Sequence, residues 1–322
     1  MWCTSPFTGK SGYYYFNRII IMTRQPPYLQ KGDTIGIVCP SGYLPKEDTD
    51  ACVQQLQKWG FKVHIGSTVG KQYHSFSGTD AERCTDLQEM MDDASIKAIL
   101  CGRGGYGMSR IIDRLDFRWF RKNPKWIIGF SDITILHAHL FGRLHIASFH
   151  ASMARAFADK NSSNIKTLHN ALTGKNSRYR CPPHQLNRKG EAIGPLIGGN
   201  LSLLAHVTGT KTAFSAVGAI LFLEDVGEYL YNIERMFIQL KRSGLLSNLL
   251  GLVVGGFTET KDGKIPFGAT VEELIRAQVE EFSFPVCFGF PVSHAESNVA
   301  LKHGAIHRLR VTGRSVLLEE KK

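Results

Sequence analysis

From Gln30 to about residue 155 the chain alternates short apolar runs with amphipathic stretches. Thr34–Cys39 is a nearly unbroken apolar run stopped by Pro40-Ser-Gly42, which predicts a buried strand. Asp48–Trp59 has helical spacing and ends at Gly60, a residue suited to closing a helix. Phe61–Ile65 reads as a second strand. Thr79/Asp80 opens a helix that runs to about Asp93. Ile96–Cys101, Trp126–Gly129 and His145–Phe149 read as three more strands. Helices precede the Trp126 strand and follow it, the second with Ile133, Leu136, His137 and Leu140 at i, i+3, i+4 and i+7. Strands separated by single helices predict a parallel sheet with helices on both faces. Sites in such sheets lie at the carboxyl ends of the strands. Pro40-Ser-Gly42, Gly102–Gly107 and Ser131 all fall there.

Residues 158–190 are polar and rich in breakers, and read as a connection containing one short helix. A second α/β domain is expected over 191–322. Gly218–Leu223 is a strand running into Glu224-Asp225. Ile233, Met236, Phe237 and Leu240 mark a helix that Gly244 can cap. Leu249–Phe257 is a buried strand, and Thr270-x-x-Glu273 is a capping box for the next helix. Ala305–Val311 and Ser315–Leu318 read as a β-hairpin turning at Thr312-Gly313. The first domain is expected over 25–157. Residues 1–24 read as an extension, either disordered or lying ahead of a natural start at Met22, with a weak export signal as the competing reading.

Composition changes this picture little. The 322 residues are 43% hydrophobic and 21% charged, as in ordinary globular proteins. The net charge of +11 is spread along the chain rather than run together, which suits an anionic substrate. It carries no basic block or aromatic-basic motif, so nucleic acid is not an expected partner. Seven cysteines, none in C-x-x-C spacing, predict reduced thiols and a cytoplasmic setting. No apolar run reaches the length of a membrane span, so no membrane partner is expected.

Ser131 carries the candidate chemistry. It stands between a strand ending at Gly129 and a helix, in Gly129-Phe-Ser-Asp-Ile133. A serine in a sharp strand-to-helix turn has its hydroxyl pushed out of the sheet, and the N–H of the next residue, Asp132, lies where an oxyanion would be stabilised. The competing reading makes Ser131 a plain helix N-cap. Gly102-x-Gly104-x-x-Gly107 fits a phosphate-loop pattern, but it follows the third strand rather than the first; it can instead supply a second oxyanion N–H. Glu224, Asp225 and His294 are candidate partners for a serine, though twelve histidines make a choice by spacing alone arbitrary. His137, His139, His145 and His150 do not form a metal site, because i and i+2 on a helix diverge. Cys39 reads as a buried core thiol. No cofactor is expected.

Five ordered motifs resemble one family. They are Gly102-Arg-Gly-Gly-Tyr-Gly107, Ile128-Gly-Phe-Ser-Asp-Ile-Thr134, Gly198-Gly-Asn-Leu-Ser-Leu-Leu204, Leu223-Glu-Asp-Val-Gly227 with Ile233-Glu-Arg-Met236, and Phe290-Pro-Val-Ser-His294. Over about residues 27–318 the chain is similar to the serine LD-carboxypeptidases, the muramoyl-tetrapeptide carboxypeptidases grouped with the microcin C self-immunity peptidases. The resemblance implies an N-terminal Rossmann-like parallel-sheet domain, a smaller β-rich C-terminal α/β domain and a homodimer. It implies a triad of Ser131, Glu224 and His294, with oxyanion donors at the N–H groups of Asp132 and Gly105. Arg103, Tyr106, Asn200 and Arg235 are the expected substrate contacts, the arginines facing a carboxylate. Ser293-His-Ala295 and His150-Ala-Ser152 depart from the family's glycine-richer forms.

The implied reaction is hydrolysis of the L,D-amide between a diamino acid and the terminal D-alanine of a murein tetrapeptide, through an acyl-enzyme, in peptidoglycan recycling. An alternative with the same triad cleaves aminoacyl-nucleotide conjugates. A third reading, outside catalysis, is a small-ligand-binding module in which Ser131 is only a cap.

Overall fold

The apolar runs become the strands of two sheets. The computed structural model describes residues 23–159, 163–295 and 297–321. In chain order the strands of the first half are β1 (Thr34–Val38), β2 (Lys62–Ile65), β3 (Ile96–Cys101), β4 (Trp126–Gly129), β5 (Ser148–His150) and β6 (Arg178–Cys181). The second half supplies β7 (Gly190–Asn200), β8 (Ile220–Val226), β9 (Gly251–Thr258), β10 (Val286–Cys287), β11 (Leu301–His303), β12 (Ile306–Val311) and β13 (Val316–Glu320). One sheet has the order β11-β5-β4-β3-β1-β2 and the other β10-β9-β8-β7-β12-β13-β6. The expected parallel sheet is present: β1 to β5 run parallel, with β11 antiparallel on the edge. In the second sheet β10, β9, β8 and β7 are parallel, and β12, β13 and β6 are antiparallel.

Both faces of each parallel portion are covered, which is why its strands read as continuous apolar runs rather than alternating ones. Ile35, Ile37, Trp126 and Ile128 pack on one face of the first sheet, while Val38 and Ile127 pack on the other. Leu221 and Leu223 of β8 face one core of the second sheet, and Ile220 and Phe222 face the opposite one.

The helices begin and end where their caps dictate. Thr79 and Glu82 form a capping box for Asp80–Asp92, and Thr270 and Glu273 form another for Val271–Gln278. Three features depart from the sequence reading. Residues 178–181, read as part of a connection, form edge strand β6 on β13. The glycine-rich stretch 190–200 forms β7, which no propensity signal announced. The short run Leu301–His303, far along the chain, joins the first sheet beside β5. The His145–Phe149 strand is correspondingly displaced to Ser148–His150, because the backbone at 145–147 pairs instead with Arg24. Apart from Thr23 and Arg24, the expectation for residues 1–24 lies outside the described residues.

The crossing of β11 ties the two domains together. Lys302 on β11 is buried; its ammonium donates to the Tyr28 hydroxyl at 2.6 Å and pairs with Glu320 of β13. One residue pair later the chain passes into the second sheet, where the Leu196 N–H donates to the Ala305 carbonyl at 2.9 Å.

Candidate active site

β4 ends at Gly129, and the backbone then turns sharply. Phe130 is extended (φ −152°), Ser131 has φ +61°, and residues Ser131–Ile133 form a 3-10 turn ahead of helix Thr134–His139. A left-handed serine costs on the order of 1–3 kcal/mol and persists only where its surroundings impose it. The cap reading does not describe this serine. Phe130 holds the N-cap position of the turn, and no side-chain capping bond is made.

The glycine loop lies directly against the elbow. A Cβ on Gly104 would come within 2.8 Å of Ser131 Cβ, 2.9 Å of its Oγ and 3.5 Å of the Asp132 amide nitrogen. Only a residue without a side chain allows that approach. The Gly104 carbonyl accepts the Gly42 N–H at 3.1 Å, so in a trans peptide the Gly105 N–H points the opposite way. The Asp132 carboxylate is buried. Its Oδ2 accepts from Ser41 Oγ at 2.5 Å and from the Met108 N–H at 2.7 Å. Burial pushes its pKa up, against the lowering effect of those two hydrogen bonds and of Arg83. Three strand-end loops are thereby fastened to one side chain.

The second sheet brings two further residues to this edge. Glu224 lies near the end of β8, opposite Asn200 of β7, and is fully buried. Its Oε2 accepts a hydrogen bond from His294 Nδ1 at 2.6 Å. That bond fixes the tautomer of the neutral ring, with the proton on Nδ1 and the lone pair on Nε2. Nε2 is buried and has no hydrogen-bond partner among the described residues. The loop carrying His294 is held by the Gly256 N–H donating to the Val292 carbonyl at 2.9 Å. The His294 ring centroid is 4.9 Å from that of Phe130, the residue preceding Ser131. Burial opposes a charge on His294, but the hydrogen bond and charge of Glu224, with Asp225 and Glu259, outweigh it and raise its pKa.

Asp225 does different work from its neighbour. Its Oδ1 accepts from Asn200 Nδ2 at 2.7 Å and its Oδ2 from the Ser202 N–H at 2.9 Å. Burial pushes its pKa up to about 6. Asn200 caps helix Leu201–Val207, and its own N–H donates to Thr134 Oγ1 at 3.1 Å. Thr134 follows the elbow by three residues, so this network joins the second domain to the helix behind Ser131.

The structure therefore brings Ser131, Asp132, Gly105, Glu224, His294 and Asn200 to one edge. Arg103 lies there too, its Nη1 donating to the Tyr43 carbonyl at 3.0 Å. Tyr106 projects from the loop and is half exposed, its ring 5.9 Å from that of Phe76. Arg235 lies on the exposed face of helix Leu230–Arg242, with its guanidinium 5.1 Å over the Tyr231 ring. Cys39 is buried, and burial pushes its thiol up to about 12. Among the described residues no group of three or more His, Cys, Asp or Glu is placed to hold a metal ion, and no helix is long and apolar enough to cross a membrane.

Sequence reasoning gave no role to Phe130 or Thr134, and it read His137 as packed against the sheet without foreseeing that His137, His150 and His303 gather into one buried set. The His137 Nε2 lies 2.9 Å from the Gly129 carbonyl, and the His137 and His303 rings stack at 5.7 Å. Burial lowers the pKa of all three. A signal existed only for Thr134, as a polar residue on an otherwise apolar helix face.

A strained serine at the carboxyl edge of a parallel sheet, with a histidine–carboxylate pair brought up by a second domain, defines the class of serine peptidases. The chain belongs to the LD-carboxypeptidase family: its N-terminal domain matches residues 35–151 and its C-terminal domain residues 193–309. It is 30% identical over 307 residues to the "Probable murein peptide carboxypeptidase" of Bacillus subtilis (strain 168), covering 94% of this chain and 96% of that one. The crystal structure of muramoyltetrapeptide carboxypeptidase from Oxalobacter formigenes superposes with a TM-score of 0.83 at 29% identity, over 90% of this chain and 99% of that one. The microcin C7 self-immunity protein of Escherichia coli is 27% identical over 314 residues, 86% of this chain and 90% of that one.

Proposed function

We propose that this enzyme hydrolyses the L,D-amide between a diamino acid and the terminal D-alanine of murein tetrapeptides, with Ser131 as nucleophile, His294 as general base and Glu224 as its orienting carboxylate. The observation that carries the assignment is the 2.6 Å bond from His294 to buried Glu224, on a ring packed beside the residue that enters the Ser131 elbow. The names of the Bacillus and Oxalobacter relatives support the substrate class.

Ser131 Oγ attacks the amide carbonyl carbon while its proton passes to His294 Nε2. Glu224 keeps the ring in the required tautomer and stabilises the imidazolium. The N–H groups of Asp132 and Gly105 hold the oxyanion; losing one such donor costs about 100- to 1,000-fold in rate. The amide C–N bond breaks as Nε2 returns the proton to the leaving nitrogen, releasing D-alanine. Water then adds to the ester, giving its proton to Nε2, and the tripeptide carboxylate departs as Ser131 regains its hydrogen. Arg103 and Tyr106, on the same loop as Gly105, flank the substrate carboxylate. Asn200 acts through Thr134 and Asp225 rather than on substrate, and Arg235 has no part in this reading. The enzyme works as a cytoplasmic homodimer, for which a dimer mass by light scattering is the check.

Mass spectrometry of L-Ala-D-Glu-diaminopimelate-D-Ala after incubation with the enzyme tests the assignment. Loss of one alanine residue with wild type and none with Ser131→Ala is the expected result; an unchanged rate in Ser131→Ala ends the serine mechanism. The likeness to the microcin C7 self-immunity protein supports a second reading. An intact tetrapeptide together with cleavage of an aminoacyl-nucleotide conjugate would transfer the assignment there.

A further inference from the structure

We propose that Phe130 is a positioning residue, holding the His294 imidazole in the plane that turns Nε2 toward Ser131; this rests on the catalytic roles given to Ser131 and His294 above. His294 sits on a segment with no regular secondary structure, and among the described residues one hydrogen bond anchors its ring, from Nδ1 to Glu224 at 2.6 Å. A single bond leaves a ring free to swing about the donor–acceptor line. A second constraint has to come from packing. The Phe130 ring supplies it, lying 4.9 Å from the imidazole at an interplanar angle of 59°. Tilted aromatic pairs at such separations are favourable beyond the area they bury.

Phe130 is itself held from behind. Its ring is 5.7 Å from that of His150, the fully buried last residue of β5. The His150 ring meets Phe222 of β8 edge-on at 5.0 Å. Phe222 stands two residues before Glu224 on the same strand. The contacts thus close a circuit: His294 to Glu224, along β8 to Phe222, through His150 to Phe130, and back to His294. The circuit passes through both sheets. It also includes the residue whose extended backbone delivers Ser131 into its left-handed conformation. One residue therefore sets the register between nucleophile and base, which come from different domains.

The test compares Phe130→Ala, Phe130→Leu and Phe130→Tyr with wild type. Three readouts are taken: tetrapeptide kcat and KM, the rate of Ser131 labelling by a fluorophosphonate, and the downfield Nδ1–H proton resonance of His294. A misplacement of about 1 Å costs on the order of 100-fold in rate. Phe130→Ala is expected to lower kcat and labelling about 10- to 100-fold with KM within about twofold, and to broaden or remove the resonance. Phe130→Tyr keeps the ring and restores all three. A Phe130→Ala enzyme with kcat within twofold and an intact resonance overturns the proposal. So does a raised KM at unchanged kcat, which would make Phe130 a substrate wall. Should the alanine variant fail to fold, Phe130→Leu is read by the same criteria. Should wild type label but leave the tetrapeptide intact, the substrate reading fails alone, and the labelling rates still decide the role of Phe130. Absence of labelling in wild type overturns both.

Discussion

At the scale of single residues, Ser131 is held in a conformation its side chain disfavours, and Glu224 raises the pKa of His294 against the effect of its burial. Both effects are measurable. Ser131→Ala keeps the positive φ and is expected to leave the melting temperature within a few degrees. Ser131→Gly relieves the strain, so it should melt higher than Ser131→Ala while being equally inactive. A lower melting temperature for the glycine variant would show that the elbow is unstrained. The pH profile follows from His294. In its proposed role it must be neutral to accept the serine proton, and its pKa is raised above the ordinary value of about 6.5 by Glu224 acting against burial. The acid limb of kcat/KM should therefore lie above that value, with activity rising as pH increases through it. Glu224→Gln removes the charge; the residual activity should then show its acid limb at lower pH. A limb that does not move would mean another group governs it.

At the scale of elements, the site depends on loops packed tightly enough to exclude side chains. Gly104→Ala would put a methyl carbon within van der Waals overlap of Ser131. Turnover should fall at least tenfold, with about 1–3 kcal/mol lost in stability as the loop shifts. Unchanged kinetics would show that the loop yields at no cost. The Asn200 network makes a complementary prediction. Asn200→Ala removes a helix cap and the bond to Asp225, and should destabilise the protein by about 2 kcal/mol, read by denaturant titration. Much of this scale was legible in the chain. The strand at Ile96–Cys101, the strand at Trp126–Gly129, the helix start at Thr79/Asp80 and the capping box at Thr270 and Glu273 follow from local periodicity and cap chemistry. β7 was not, because its glycines and Pro195 carry no strand propensity. It forms because β8 and β12 hydrogen-bond its two sides.

At the scale of the molecule, a set of neutral imidazoles is buried around the domain junction. His137 and His307 are lowered to about 4, and His150 and His303 lie well below the ordinary value, all mainly through burial. Above pH ~6.5 neither folded nor unfolded chain protonates them, and they cost nothing. Between about 6.5 and 4 the unfolded chain binds protons that the folded one cannot, so stability falls as pH falls. Asp132 and Asp225, with raised values, act in the opposite sense and offset part of this loss. The melting temperature is expected to drop steeply from pH 6.5 to 4, and a flat curve would contradict the burial of these rings.

Local sequence was enough to specify the parallel sheet, the strand-end placement of the serine and the glycine loop, and the buried thiol character of Cys39. These depend on residues close in the chain, whose spacing records the period of the element and the direction of its side chains. Glu224 and His294 were reached only through resemblance, because seventy residues separate them and no local pattern registers their meeting. Only folding in three dimensions places β11 in the first sheet, joins the domains through Asn200 and Thr134, and packs Phe130 on His294. Each of these is a contact between surfaces whose complementarity exists only once both have folded, and a linear pattern of apolar and polar residues does not encode it.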